Sequence, residues 1–141
     1  MKKILVGIDG SEGSKGALRW AIDEAKVHGA TIEALYAWSY LDQSALGGDF
    51  VPGYSEDDAR VELDKTVDEV LGTESSVSIE RTVICELPAR ALIKASTGAD
   101  LVVVGARGLG GFRELLLGSV SHQVANHVAC PVTIIKLPPG K

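Results

Sequence analysis

The sequence has few of the residues that mark disulfide-bonded, zinc-binding or membrane proteins. Its two cysteines, Cys85 and Cys130, form no CxxC pattern, so neither a redox pair nor a zinc site is expected. No apolar stretch approaches the roughly 18 residues that a membrane helix needs. The first apolar run, residues 4–8, stops at Asp9 and Gly10, which is too early for a signal peptide. We therefore expect a cytoplasmic protein with no membrane partner.

Positive charge is also scarce. The chain has 14 Lys and Arg residues against 19 Asp and Glu residues, which gives a net charge of −5. This balance opposes general attraction to nucleic acid, so no nucleic-acid partner is expected and any phosphate site must be local. A length of 141 residues fits one domain, which we expect to span residues 1–141.

Short apolar runs alternate with helical patterns along the chain. The predicted strands are residues 4–8, 31–38, 77–84, 101–104 and 131–135. Residues 39–54 lack periodicity and contain Gly-Gly and Pro-Gly pairs, so they are predicted to form a long loop. Five alternations of strand and helix predict an α/β fold with one doubly wound parallel sheet. The fully apolar run at residues 101–104 is expected at its centre, beside the first strand.

The ends of two long helices can be predicted from local residues. Ser11 or Ser14 can cap the first helix, and Gly29 stops it. Ser55 and Asp58 have the spacing of a capping box at the start of the second helix. The apolar side of the second helix is predicted to consist of Val61, Val67, Val70 and Leu71.

A glycine-rich segment leaves the carboxyl end of the fourth predicted strand, where sheets of this type bind ligands. Glycines at 105 and 108 permit a tight turn or a positive φ, so peptide N–H groups can approach a phosphate closely. Gly118 and Ser119 then open a helix, whose N-terminal amides and dipole favour an anion. The hydroxyl groups of Ser119 and Ser121 add donors. We interpret the segment as a phosphate-binding element.

The chain resembles the universal stress protein family, whose nucleotide-binding members carry Gly-x2-Gly-x9-Gly followed by Ser or Thr. Gly105, Gly108, Gly118 and Ser119 match every position of that motif. The similarity extends over essentially the whole chain, through Asp9-Gly10-Ser11 and the segments LRWA, VVVGARGLGGF, LLLGSVS and CPVTIIK. One departure is Ala106, where many relatives have a hydroxyl residue, so one phosphate hydrogen bond is expected to be missing.

The resemblance implies an open five-stranded sheet in the order 3-2-1-4-5, of the Rossmann-like, adenine nucleotide alpha-hydrolase-like type. It implies a bound adenine nucleotide, which is ATP or else ADP or AMP, with magnesium carried by the nucleotide. Asp9 would reach the ribose, and the backbone of Gly7, Ile8 and Ala37 would line the adenine pocket. The other implied contacts are Val104, Gly105, Ala106, Arg107 and Gly108 along the phosphates, and Gly118, Ser119, Val120 and Ser121 at the phosphate end.

The resemblance also implies a homodimer, formed through the last strand, which would run from Val132 to Lys136. Three functions stay open: a nucleotide-binding regulatory protein of the stress response, a slow ATPase or nucleotide-transferring enzyme, and a homodimeric interaction module with a vestigial pocket. Glu114 and His122 are the nearest acid–base candidates for hydrolysis, but both have good surface explanations.

We expect a binding role, with no catalytic residues and at most slow hydrolysis. The sequence has no GxxxxGK motif followed by Ser or Thr, no GxGxxG motif opening a helix and no GxSxG motif. His122 and His127 would point about 140° apart on a helix, so they do not form a shared metal site. Two alternatives stay open at this stage. Asp9 could simply cap the first helix, and Trp38 could stack on a base or belong to the core.

Overall fold

Five parallel strands form one sheet in the computed structural model, which describes residues 1–39, 55–107 and 118–137. The strands are β1 (Lys3–Ile8), β2 (Thr31–Trp38), β3 (Ile79–Cys85), β4 (Leu101–Gly105) and β5 (Val132–Ile135). Their order in the sheet is β3-β2-β1-β4-β5. The predicted fold class and strand order are therefore confirmed.

Helices cover both faces of the sheet. They are α1 (Glu12–His28), α2 (Glu56–Leu71), α3 (Pro88–Ala95), which runs into a 3-10 turn at Ser96–Gly98, and α4 (Ser119–His127). Buried residues of α1 and α2 share one apolar cluster with the sheet, whereas those of α3 and α4 share the other. Among the helices described, none combines the length and the apolar character needed to cross a bilayer.

The two central strands are buried because both of their faces are covered. Ile4, Val6 and Val103 face α1 and α2 and are fully buried. Leu5 and Val102 point to the opposite face and are equally buried. Alternate side chains of a strand point to opposite faces, so a strand covered on both sides must be apolar throughout. This requirement explains why β1 and β4 were predictable from the sequence.

The predicted helix caps are present. The Ser14 N–H donates to the Ser11 hydroxyl over 3.2 Å, so Ser11 is the N-cap of α1. Gly29 ends α1 with a φ of +67°, a conformation that glycine adopts without steric cost. At the start of α2, the Asp58 N–H donates to the Ser55 hydroxyl over 3.4 Å. Local side-chain chemistry thus defines where these helices begin and end.

Two predictions about elements are wrong in detail. Val61 is 68% exposed, whereas the other three predicted residues, Val67, Val70 and Leu71, do contact the core. The residues that α2 buries are Ala59, Leu63, Thr66 and Val67. β3 begins at Ile79 and not at residue 77. The first residue of β3 that has a partner on β2 is Ile79, which pairs with Ile32, and β2 itself begins only one residue earlier, at Thr31. Apart from Ser39, the predicted loop at residues 39–54 lies outside the described residues.

Candidate functional site

The sheet opens between β1 and β4 at its carboxyl edge. Pairing between these strands ends at Val6 and Val103. Beyond that pair, β1 continues beside β2 as far as Ile8, and β4 continues beside β5 as far as Gly105. The strand order reverses here, since β2 and β3 lie on one side of β1 while β4 and β5 lie on the other. Open α/β sheets bind ligands in the crevice at such a switch point.

Asp9 stands at the end of β1 and holds the first turn of α1. Its Oδ1 atom accepts hydrogen bonds from the Ser11 N–H, over 2.9 Å, and from the Ser11 hydroxyl. Ser11 is itself the N-cap, so Asp9 orients the cap and does not replace it. A carboxylate can accept about four hydrogen bonds. A ribose hydroxyl is the kind of donor that such a carboxylate accepts.

The residues predicted to line an adenine pocket lie together around the opening. Ile8 pairs with Tyr36, which brings Ala37 beside the end of β1. A Cβ at Gly7 would lie 3.0 Å from Leu92 Cδ1 and 3.3 Å from Val104 Cγ1, so β1, α3 and β4 are closely packed at this point. Trp38 is only 8% exposed and belongs to the core beneath α1 and α2. Of the two alternatives for Trp38, the structure supports the core position.

Gly105 does not adopt the positive φ that was one of its two expected conformations, and the structure shows a further reason for a glycine there. The positive φ angles of the described glycines occur at Gly10, Gly29 and Gly72, and not at Gly105. A Cβ at Gly105 would instead lie 2.7 Å from the carbonyl carbon of Gly13 and 2.8 Å from its oxygen. The first turn of α1 therefore packs directly on the end of β4. Sequence reasoning missed Gly13, although a glycine inside a helix is a poor helix former and signals a packing requirement.

Ala106 joins the end of β4 to the start of α4. Its N–H donates to the Ile135 carbonyl over 2.8 Å, which extends the ladder with β5. Its carbonyl oxygen accepts hydrogen bonds from the Gly118 N–H, over 2.6 Å, and from the Ser121 hydroxyl, over 2.9 Å. The N-terminus of α4 is thereby fixed at the crevice.

The first turn of α4 offers main-chain donors. An α-helix provides no internal acceptor for the amides of its first turn, and its dipole favours negative charge at this end. Here that turn follows Gly118 and contains Ser119, Val120 and Ser121, which were expected to bind the phosphate end. The Ser119 side chain is exposed, whereas Ser121 is 3% exposed and its hydroxyl bonds to the Ala106 carbonyl. The Ser121 side chain therefore anchors α4. The group of Ser121 that remains as a donor at the helix N-terminus is its main-chain amide.

Some of the remaining predicted residues are described by the structure and others are not. Arg107 is exposed at the rim, beyond the last residue of β4. Gly108 lies outside the described residues, as does Glu114. His122 and His127 are both exposed on α4. Within the three described ranges, no group of three or more His, Cys, Asp or Glu side chains is arranged to hold a metal ion.

Comparison with known proteins decides the family. The model of the universal stress protein family matches residues 1–136. The chain belongs to the universal stress protein family. The universal stress protein Rv2005c of Mycobacterium tuberculosis is 39% identical over 134 residues, which are 94% of this chain and 45% of that protein. This universal stress protein thus spans about half the length of the curated relatives that it matches.

Solved structures agree with the fold. A universal stress protein in complex with cAMP is 26% identical, with a TM-score of 0.70 over 97% of this chain and 98% of the other. The protein MJ0577 is 20% identical, with a TM-score of 0.80 over 99% of this chain and 98% of the other. The second comparison shows the fold alone. In this universal stress protein the Ala106 carbonyl holds the N-terminus of α4 at the end of β4, and Asp9 stands at the end of the neighbouring strand β1.

Proposed function

We propose that this universal stress protein is a regulatory protein of the stress response that binds an adenine nucleotide in the crevice between β1 and β4. The observation that carries the proposal is that the crevice has a hydrogen-bond acceptor at one strand end and a set of main-chain donors at the other. The Asp9 carboxylate stands at the end of β1, and the amides of the α4 N-terminus stand beside the end of β4. A carboxylate accepts hydrogen bonds from ribose hydroxyls, whereas a helix N-terminus favours phosphates.

The nucleotide that we propose is ATP, with ADP or AMP as alternatives. The relative solved with cAMP supports the adenine nucleotide class. The match of Gly105, Gly108, Gly118 and Ser119 to the family motif favours ATP, which would bring magnesium with it. In this proposal Gly7, Ile8 and Ala37 surround the base. The phosphate contacts are the backbone of Val104, Gly105, Ala106, Arg107 and Gly108, and the first turn of α4 from Gly118 to Ser121.

A charge placed in the first turn of α4 tests this arrangement. Ser119→Asp adds a carboxylate that suits a helix N-terminus, so α4 stays stable, but the same carboxylate repels phosphates. We expect wild-type protein to bind ATP with magnesium in a calorimetric titration and S119D to bind it at least about tenfold more weakly. Gln123→Glu is the matched control, because it makes the same change of charge at an exposed position of the same helix.

The outcome of this titration is decisive in either direction. Weakened binding by S119D together with unchanged binding by Q123E supports a phosphate at the α4 N-terminus. If folded wild-type protein binds no ATP at millimolar concentration, the proposal is wrong. Equal loss of affinity in both variants would point to nonspecific charge repulsion and would contradict the proposed phosphate position.

A homodimer formed through β5 is the second part of the proposal. β5 is an edge strand of the described sheet, and edge strands present main-chain groups that can pair with another copy. Hydrolysis has no comparable observation in its favour, since His122 is exposed and its ring lies beside the Asn126 side-chain amide. A cytoplasmic location stays a prediction from the sequence.

A further inference from the structure

The contact between α1 and β4 is unusually close at one point. A Cβ at Gly13 would lie 2.5 Å from the carbonyl oxygen of Arg107. A Cβ at Gly105 would lie 2.7 to 3.0 Å from three backbone atoms of Gly13. Real Cβ atoms essentially never come within 3.0 Å of such neighbours. Both positions must therefore lack a side chain for the helix and the strand to approach this closely.

The requirement is specific to Gly13 and does not apply to α1 as a whole. Gly16 lies one turn further along the same helix. A Cβ there would meet Leu137 Cδ2 at 3.4 Å and Ile135 Cγ2 at 3.7 Å, which are ordinary van der Waals distances to side chains. Alanine also favours a helix more than glycine does. Gly16 thus tolerates alanine, whereas Gly13 faces main-chain atoms that cannot rotate away.

The contact reaches the phosphate end of the site through Ala106. Gly105 and Arg107, the two residues that touch Gly13, flank Ala106 directly. The Ala106 carbonyl in turn receives the Gly118 N–H and the Ser121 hydroxyl. The first turn of α1 therefore sets the position of the carbonyl on which α4 begins. We propose that Gly13 is a positioning residue that aligns the phosphate-binding backbone, and this inference rests on the proposed nucleotide binding.

The test compares Gly13→Ala with Gly16→Ala. ATP affinity is measured by calorimetry, and adenosine affinity by displacement of ATP. Adenosine has no phosphate, so it reports the base and ribose contacts alone. We expect G13A to bind ATP about tenfold more weakly and adenosine as well as wild type does, because added atoms in a close-packed contact shift the backbone. G16A should bind both ligands normally.

Each result bears on the inference. The selective loss of ATP affinity in G13A supports it, whereas normal ATP binding, or an equal loss for both ligands, overturns it. If circular dichroism shows that G13A does not fold, Gly105→Ala decides, because a Cβ at Gly105 meets the Gly13 backbone at 2.7 Å from the strand side of the same contact. G105A must then lose ATP affinity and keep its adenosine affinity, and unchanged ATP affinity overturns the inference. Wild-type protein that binds no ATP would overturn the proposed function and this inference with it.

Discussion

Asp9 has one structural role and one proposed binding role, and a substitution of Asp9 would remove both at once. Its carboxylate orients the Ser11 cap of α1, and we propose that it also accepts a ribose hydroxyl. The nucleotide itself can separate these roles, because 2′-deoxy-ATP lacks one hydroxyl donor. We expect wild-type protein to prefer ATP over 2′-deoxy-ATP by about tenfold, since a hydrogen bond to a charged group contributes about 1.5–3 kcal/mol. Asp9→Ala should abolish this preference, as measured by the two dissociation constants.

Ser11→Ala is the control for the cap. It removes the hydroxyl that donates to Asp9 and accepts from the Ser14 N–H, but it keeps the Asp9 carboxylate. The variant should therefore be less stable than wild type and should still prefer ATP over 2′-deoxy-ATP. A D9A protein that still discriminates between the two nucleotides would place the ribose contact elsewhere.

Prediction at the scale of residues succeeded where the interaction is local. The Ser11 cap, the Ser55 cap and the stop at Gly29 each depend on atoms within a few residues of each other. The contact between Gly13 and Gly105 depends on where a helix and a strand meet in the folded sheet. A glycine inside a helix signals that something packs closely there, but the sequence does not show that the partner is Gly105. The motif glycine Gly105 was therefore found from the sequence, whereas its packing against Gly13 was not.

At the scale of elements, α2 shows that an apolar residue of a helix need not lie on its buried face. Val61 and Val67 are both apolar and lie in the same helix, yet Val61 is 68% exposed and Val67 is fully buried. Val67→Ala should destabilise the protein by about 1.5 kcal/mol or more, since it removes two buried carbons at about 0.8 kcal/mol each and leaves a cavity. Val61→Ala should be neutral or slightly stabilising, because alanine has the higher helix propensity. Urea unfolding of both variants would check this.

The reason for the error in α2 is physical. Its buried residues Ala59, Leu63, Thr66 and Val67 follow the spacing of one helix face, and that face includes a threonine. The Thr66 hydroxyl donates to the Glu62 carbonyl over 3.0 Å, so it is buried without losing its hydrogen bond. The predicted set included Val61, which lies off this face, and omitted Ala59, Leu63 and Thr66, which lie on it. Equal destabilisation by V61A and V67A would show that this assignment of the buried face is wrong.

An ion pair links the last turn of α1 to the turn after α2. Glu74 pairs with Lys26 and accepts hydrogen bonds from the Ser76 hydroxyl and N–H, and these contacts lower the pKa of Glu74 from 4.5 to about 2. A carboxyl whose pKa is lowered by folding contributes stability above its usual pKa and loses that contribution as the pH falls towards the lowered value. Its solvent exposure keeps the contribution modest.

Glu74→Gln tests this pH dependence. The variant should be less stable than wild type at pH 7, and the difference should shrink as the pH falls from 4.5 towards 2, where the wild-type carboxyl becomes protonated. High salt at pH 7 should shrink it as well. Urea unfolding at several pH values measures both effects. A difference that stays constant over this range would show that the charge of Glu74 is not its cause.

For the molecule as a whole, the sheet order explains why the site was predictable in outline. The apolar runs of β1 and β4 identify the central strands, and a switch point follows from any order in which β1 and β4 are neighbours. For this reason Asp9 and Gly105, which follow or end these two strands, lie at the same edge of the sheet. The place where the two strands separate, beyond Val6 and Val103, could not be predicted from the sequence of either strand.

The same sheet order leaves β5 at an edge, and its hydrogen bonds show which residues can pair with a second copy. Val102 donates to the Pro131 carbonyl and Ala106 donates to the Ile135 carbonyl. Main-chain groups alternate along a strand, so Ile134 directs its N–H and carbonyl away from β4. Ile134→Pro would remove an outward donor and leave the pairing with β4 intact, as proline in edge strands allows.

We expect wild-type protein to have twice the mass of one chain in size-exclusion chromatography with light scattering, and I134P to shift towards one chain. Ile134→Val is the matched control, because it shortens the same partly buried side chain but keeps the N–H group. I134V should therefore remain a dimer at concentrations where I134P dissociates. A dimer that survives I134P would place the interface on another surface. Monomeric wild-type protein would contradict the proposed dimer through β5.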